Sequence, residues 1–325
     1  MTAPLPPPSF LMSERFHFLR QAVAAGAALR AAETLGVLGR LAAGPADPGD
    51  LAHDCRIGER GAQLLLAALA SLGLVEATGD GSYRAVAADL DGLGAIRFFW
   101  DHLAEAIRDD RPAVAGDTLA GAETFYPACV PQLGAMFGAL AERAADQLAA
   151  PDLRVLDAGA GAAPWSIALA ARDPGCRVTA VDLPAVLAAT RRSVAAAGLE
   201  RQFDYLGGDL FAVDWGRAAY DLAIAGNVCH LFDAPANRRL LARLYDALRP
   251  GGTLAIVDAL PNERMDGPRA VALYALGLLL RTSSGRVYPL STYVGWLRDA
   301  GYEGVERFDL SSDTRISLIT ARRPA

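Results

Sequence analysis

Apolar positions change their period along this chain, and the changes mark out its layout. From Phe16 to Leu38, alanine and leucine recur at helical spacing, which predicts one helix ending at Gly36 or Gly39. A short helix from Pro48 or Asp50, a turn at Ile57-Gly58 and a longer helix from Glu59 to Leu72 come next. The runs LVEA and SYRAV flank Gly79-Asp80-Gly81, the turn chemistry of a hairpin. Together these read as a helix-turn-helix with a wing. A helix over 93–110, a loop carrying Phe125, Tyr126, Pro127 and Cys129, and a helix from Pro131 to Ala150 fill the middle of the chain.

Beyond Pro151 the pattern switches to short apolar runs alternating with helical stretches. RVLDA, RVTAVD, a run ending at YLGGD, YDLAIAG and TLAIVDAL read as strands, and their alternation with helices predicts an open α/β sheet. A helix from Pro235 to Leu248 precedes the turn RPGG. An insertion over 262–290 holds one helix, with the length of a cap over a site. A further helix, capped at Ser291, leads into GVERFDL and RISLITAR, a hairpin that closes the sheet. The layout is therefore a flexible arm at 1–12, a winged-helix domain at 13–92, a helical linker and pocket segment at 93–150, and an α/β domain at 151–325.

The stretch from Arg154 to Trp165, RVLDAGAGAAPW, organises that second domain. Gly159 and Gly161 follow a strand and precede a helix, where a missing Cβ lets backbone approach a ligand. Asp182 ends the second strand, 25 residues after Asp157, and an acid there accepts hydrogen bonds from ribose hydroxyls. Asp209 and Phe211 end the third, placed to meet an adenine. A dinucleotide fingerprint requires a third glycine, and here Ala162, Ala163 and Pro164 follow Gly161. Asp157 adds negative charge where a pyrophosphate would lie. Both features favour a cofactor with no phosphate and a positive end, which S-adenosylmethionine fits.

Composition narrows the partners. The 325 residues are 52% hydrophobic with a formal charge of −6, and every basic side chain apart from histidine is arginine. That balance argues against broad nucleic-acid contact, and the helix that would read DNA, GERGAQLLLAALASLG, is apolar after its first turn. The four cysteines make no CxxC pair and read as free thiols. No signal peptide or membrane span is recognisable, so the expected location is cytoplasmic. His17, His53 and His102 lie far apart, and no metal is expected.

From Asp157 to His230 the chain resembles the bacterial and plant small-molecule methyltransferases that use S-adenosylmethionine. The resemblance implies a Rossmann-like class I methyltransferase sheet, an α/β fold, with an N-terminal, mainly helical winged-helix domain that forms a homodimer. It implies that Asp157, Gly159 and Gly161 cradle the methionine part, that Asp182 holds the ribose, and that Asp209 and Phe211 border the adenine. Leu183, Gly208, Leu210 and Asn227 belong with them, and S-adenosylhomocysteine is the expected product. His230 falls where the family's O-methyltransferases carry a general base, with Leu231 and Phe232 in place of the usual Asp-Trp. Asp258 matches one supporting acid, while Tyr288 stands where a second would be.

Phe99, Trp100, Phe125, Tyr126, Met136, Tyr274 and Tyr288 are the expected substrate contacts. The acceptor the resemblance implies is a hydroxyl, or a carbon, of an aromatic or polyketide-like molecule. Two other readings stay open: a cofactor-binding enzyme of the same scaffold that catalyses no methyl transfer, and a winged-helix regulator that binds DNA.

Overall fold

The computed structural model describes residues 14–86, 99–311 and 316–325. The arm at 1–12 and the junction at 87–98 lie outside the described residues. The chain divides into two compact units, 1–98 and 99–325.

In the first unit, α1 (Glu14–Thr34) and α2 (Val37–Ala42) replace the single helix predicted to Leu38. Gly36 sits between them with φ +73°, a left-handed conformation that stops one helix and starts the next. Then come α3 (Pro48–Asp54) and α4 (Glu59–Ser71). Asp47 caps α3 by accepting from the Asp50 N–H at 2.8 Å. Strands β1 (Val75–Ala77) and β2 (Tyr83–Ala85) pair antiparallel, Val75 opposite Ala85, as the wing. Leu51, Leu66 and Leu69 are fully buried at the centre of this winged helix.

The second unit begins with α5 (Leu103–Asp109) and α6 (Leu119–Leu148). Here the structure corrects two sequence expectations. The helix expected over 93–110 is interrupted at His102 among the described residues, and the expected loop around Phe125 and Tyr126 is part of a 30-residue helix. Two internal prolines each remove a helix hydrogen bond, a cost that argued for a break. Packing of Ala141, Ala144 and Ala145 against the next layer outweighs it. Thr118 caps the start, its hydroxyl accepting from the Gly121 N–H at 3.2 Å.

The sheet is built from β3 (Arg154–Ala158), β4 (Arg177–Asp182), β5 (Phe203–Gly207), β6 (Tyr220–Gly226), β7 (Leu248–Ala259), β8 (Glu303–Asp309) and β9 (Ile316–Arg322). Its order is β5-β4-β3-β6-β7-β9-β8. The first five strands run parallel and β9 runs antiparallel to both its neighbours. Helices α7 (Pro164–Ala170), α8 (Pro184–Ala196), α9 (Ala234–Ala247), α10 (Arg269–Leu279) and α11 (Leu290–Asp299) complete the unit.

Period-2 alternation sorts the strand residues into two cores. Leu156, Ala223, Leu254 and Ile256 face α9 and α11, while Val155, Leu222, Ile224 and Val257 face α6 and α7. The expected cap at Ser291 is also corrected. Pro289 holds the N-cap position of α11, and Ser291, inside the helix, donates its hydroxyl to Glu263. Among the described residues no helix is long and apolar enough to cross a membrane.

Strand order reverses between β3 and β6, so the chains leaving these neighbours diverge and open a crevice at their carboxyl ends. Close packing under that crevice depends on Gly226: a Cβ there would run into the Trp165 indole, itself buried against Phe137. Gly226→Ala is therefore expected to destabilise the second unit by about 1–3 kcal/mol through overpacking. A lowered denaturant midpoint with an unchanged m-value checks it.

Candidate active site

The turn after β3 is shaped by backbone geometry that side chains resist. Gly159 has φ +75°, and a Cβ on it would collide with the Val228 side chain. Its N–H and that of Ala160 donate to the Val181 carbonyl, which draws the turn over β4. Ala163, also left-handed at φ +56°, precedes Pro164 at the first position of α7. Asp182, at the end of β4, accepts from the Gly161 N–H at 2.8 Å and the Leu183 N–H at 2.7 Å. One carboxyl group thus fixes the glycine turn and the start of α8 together.

These ends wall one cavity of about 260 Å³, far above the roughly 10–15 Å³ that a single water needs. Gly159, Gly161, Asp182, Leu183, Gly208, Asp209, Leu210, Phe211 and Asn227 all line it, as does Tyr126. Asp209 accepts from the Phe211 N–H at 2.9 Å, and the Phe211 ring meets Phe232 edge-on at 5.0 Å. Asp157 does not line the cavity. It is fully buried, accepting from the Ser166 hydroxyl at 2.5 Å, and its other oxygen has no partner. The Asn227 Oδ1, in the cavity wall, is also buried without a partner.

Burial pushes the Asp157 carboxyl up to about 7; the Ser166 hydrogen bond opposes this and nearby Asp182 adds to it. Burial also raises Asp182 to about 6, against the two backbone N–H groups that favour its charged form. The unpartnered Asn227 oxygen, a cradle that a Cβ would fill and the Asp182 carboxyl, raised by burial, suit a ligand that brings donors and positive charge. S-adenosylmethionine has ribose hydroxyls, an ammonium and a sulfonium, so the residues present fit it.

A second constellation lies beside this cavity. Asp258 ends β7, and its carboxyl accepts four hydrogen bonds. His230 Nδ1 at 2.7 Å and the Ala259 N–H at 2.8 Å meet one oxygen; the His230 N–H and the Tyr293 hydroxyl, both at 3.1 Å, meet the other. Facing a carboxylate, Nδ1 carries the ring proton and Nε2 keeps its lone pair. The Tyr274 hydroxyl lies 2.7 Å from Nε2. His230 is 3% exposed and, like Asp258, does not line the cavity, although its neighbours Leu231 and Phe232 do.

The expected substrate contacts scatter. Phe99 and Phe125 pack edge-on at 5.6 Å, and Phe125 in turn meets Tyr126 at 5.3 Å. Trp100 (41% exposed) and Met136 (62%) stand outside the cavity. Tyr288 is buried, donating its hydroxyl to the Phe232 carbonyl at 2.8 Å, and Tyr274 meets His230 rather than the cavity. Sequence reading missed Asp117 and Tyr293. Asp117 accepts from the backbone N–H groups of Ser283 and Ser284, and its other oxygen, without a partner, belongs to a cavity-lining residue. Tyr293 reaches Asp258 from 35 positions away, and no local pattern announces either role. Among the described residues no three His, Cys, Asp or Glu side chains gather to hold a metal ion.

The sheet order, the glycine turn and the acid after β4 define a class I S-adenosylmethionine-dependent methyltransferase fold. An O-methyltransferase domain matches residues 135–303, and the chain belongs to that family. It is similar to the 3-hydroxy-5-methyl-1-naphthoate 3-O-methyltransferase of Streptomyces sahachiroi, 35% identical over 308 residues that cover 87% of this chain and 88% of the relative. The tetracenomycin polyketide synthesis 8-O-methyl transferase of Streptomyces glaucescens is 28% identical over 91% of this chain and 93% of its own. Among solved structures, human N-acetylserotonin methyltransferase in complex with S-adenosylmethionine superposes with a TM-score of 0.73. It is 26% identical and covers 96% of this chain and 99% of its own.

Because both acids titrate above the usual carboxylate value, the folded protein holds their protons longer than the unfolded chain does. Their contribution to stability therefore falls as pH rises from about 4 to about 7. A cationic ligand prefers the ionised acids, so S-adenosylmethionine affinity should weaken as pH falls from 8 to 5.5. Asp182→Asn should cost at least about tenfold in affinity and flatten that dependence, since an amide cannot ionise. Calorimetric titration across this pH range measures both.

Proposed function

We propose that the protein transfers the methyl group of S-adenosylmethionine to a hydroxyl oxygen of an aromatic, polyketide-like small molecule in secondary metabolism. The observation that carries this is the His230–Asp258 pair, held at 2.7 Å beside a cavity whose walls suit the cofactor. The similarity to a naphthoate and a polyketide O-methyltransferase supports the aromatic class. Bound, the cofactor supplies a methyl group already activated by its sulfonium.

The residues have three tasks. Gly159, Gly161 and Asn227 hold the methionine end, while Asp182, Asp209 and Phe211 hold the nucleoside. Apolar Leu231, Phe232 and Val130 exclude water along the path between acceptor and cofactor. His230, its Nδ1–H fixed by Asp258, supplies the lone pair that removes the acceptor's proton. The protein works as a homodimer through its N-terminal unit: on α1, Phe18, Leu19 and Val23 are exposed, an apolar surface suited to a second copy.

A second reading follows from Nε2 being already engaged by Tyr274. If His230 is only structural, the acceptor is a carbon or needs no base. The test is a labelled-methyl assay with 3-hydroxy-5-methyl-1-naphthoate and related hydroxylated aromatics. His230→Ala should lower kcat by about 10²- to 10⁴-fold, the usual worth of a general base, and leave cofactor binding within about twofold. A variant that keeps near-parental turnover selects the second reading.

A further inference from the structure

Resting on that reading, the geometry points to Tyr274 as a catalytic residue whose hydroxyl relays the acceptor's proton to His230. Three observations converge on it. Asp258 binds both the ring and the backbone N–H of His230, so the imidazole has no freedom to turn toward an acceptor elsewhere. Its one remaining lone pair, on Nε2, is met at 2.7 Å by the Tyr274 hydroxyl, with the two rings edge-to-face at 5.3 Å. His230 is almost wholly covered, whereas Tyr274, on the cap helix α10, is partly exposed, although it does not line the cavity.

Beside these stands the charge next to the phenol. Burial raises the Tyr274 phenol above its ordinary value, and the Arg281 guanidinium, over the ring 4.9 Å from its centroid, offsets part of that rise. A neutral tyrosine gains only the cation–π contact from that guanidinium. A tyrosine whose oxygen carries transient negative charge gains directly.

In the relay, the Tyr274 O–H proton passes to Nε2 as the Tyr274 oxygen takes the proton of the acceptor hydroxyl. The acceptor oxygen forms its bond to the methyl carbon, and the electron pair of the broken S–C bond stays on sulfur. Tyr274 ends neutral, and His230 ends as an imidazolium facing the Asp258 carboxylate, which stabilises it until the proton leaves to solvent.

The experiment compares Tyr274→Phe with His230→Ala on cofactor-loaded protein, using 3-hydroxy-5-methyl-1-naphthoate and naphthols graded in acidity by chloro and nitro groups. The relay predicts a loss in kcat of about 100-fold or more for Tyr274→Phe on weakly acidic acceptors, with cofactor affinity within twofold. That loss shrinks at least tenfold toward acceptors that arrive ionised, a trend a packing defect would not produce. Parental protein should give a curved proton inventory in mixed H₂O and D₂O, the mark of two protons moving together; a linear one overturns the relay even if the variant does not fold.

Equal or faster turnover by Tyr274→Phe makes the tyrosine a plug and also overturns the relay. If His230→Ala collapses while Tyr274→Phe does not, the relay alone fails; if neither loses activity, the base itself fails. Should no acceptor in the series turn over, the ¹⁵N resonance of His230 Nε2 decides. The relay requires that resonance to move in Tyr274→Phe, where the lone pair loses its donor, and an unmoved resonance overturns it.

Discussion

A carboxyl group buried at the end of a strand must find its hydrogen-bond donors inside the protein, and the site depends on how Asp258 does so. Its four donors come from its own strand end, from the turn at Cys229–Leu231 and from α11. Leaving any one unmade would cost on the order of 1–3 kcal/mol or more, because no water replaces it. The carboxyl therefore locks three segments together. A fixed imidazole is the by-product: with Nδ1 and the backbone N–H both committed to Asp258, only Nε2 can do chemistry.

The neighbouring cavity answers a different constraint. Divergence of the chain after β3 and β6 opens a crevice whose floor has to be narrow, so Gly159 and Gly226 leave room where Val228 and Trp165 approach. Left-handed backbone at Asn227, φ +60°, turns the chain out of β6 and into the cavity wall. Asp182 closes the arrangement by accepting from both the glycine turn and α8. Burial raises both Asp157 and Asp182 above the usual carboxylate range, and of the two only Asp182 lines the cavity. Leu231 and Phe232, next to His230 in the chain, line this cavity, whereas His230 does not.

Much of this was legible along the chain. Short apolar runs at RVLDA, YDLAIAG and TLAIVDAL predicted strands, and the structure shows each sending alternate side chains into different cores. Helix caps were less reliable. Ser291, the cap read from the sequence, lies inside α11 bonded to Glu263, while Asp47 and Asp233, which that reading did not single out, accept from N–H groups of the helices they precede. The loop expected around Phe125 is helix instead, and the same helix packs Ala141, Ala144 and Ala145 into the core. Aromatic clustering proved a poor guide to placement: Tyr126 lines the cavity, while Phe99 and Phe125 pack on one another and Trp100 faces solvent.

The sequence by itself determined the order of elements, the α/β class, the winged helix ahead of the sheet and the cofactor-like spacing of Asp157, the glycines and Asp182. Those features are local: a period, a turn residue or a strand end is written in a few adjacent positions. Tertiary structure alone decided that Tyr293 and Asp117 join the site, that Tyr274 meets His230, and that His230 does not line the cavity. The partners of Tyr293, Asp117 and Tyr274 lie 35, about 166 and 44 positions away, and such pairs exist only once strand ends, cap and helices have been folded onto one another.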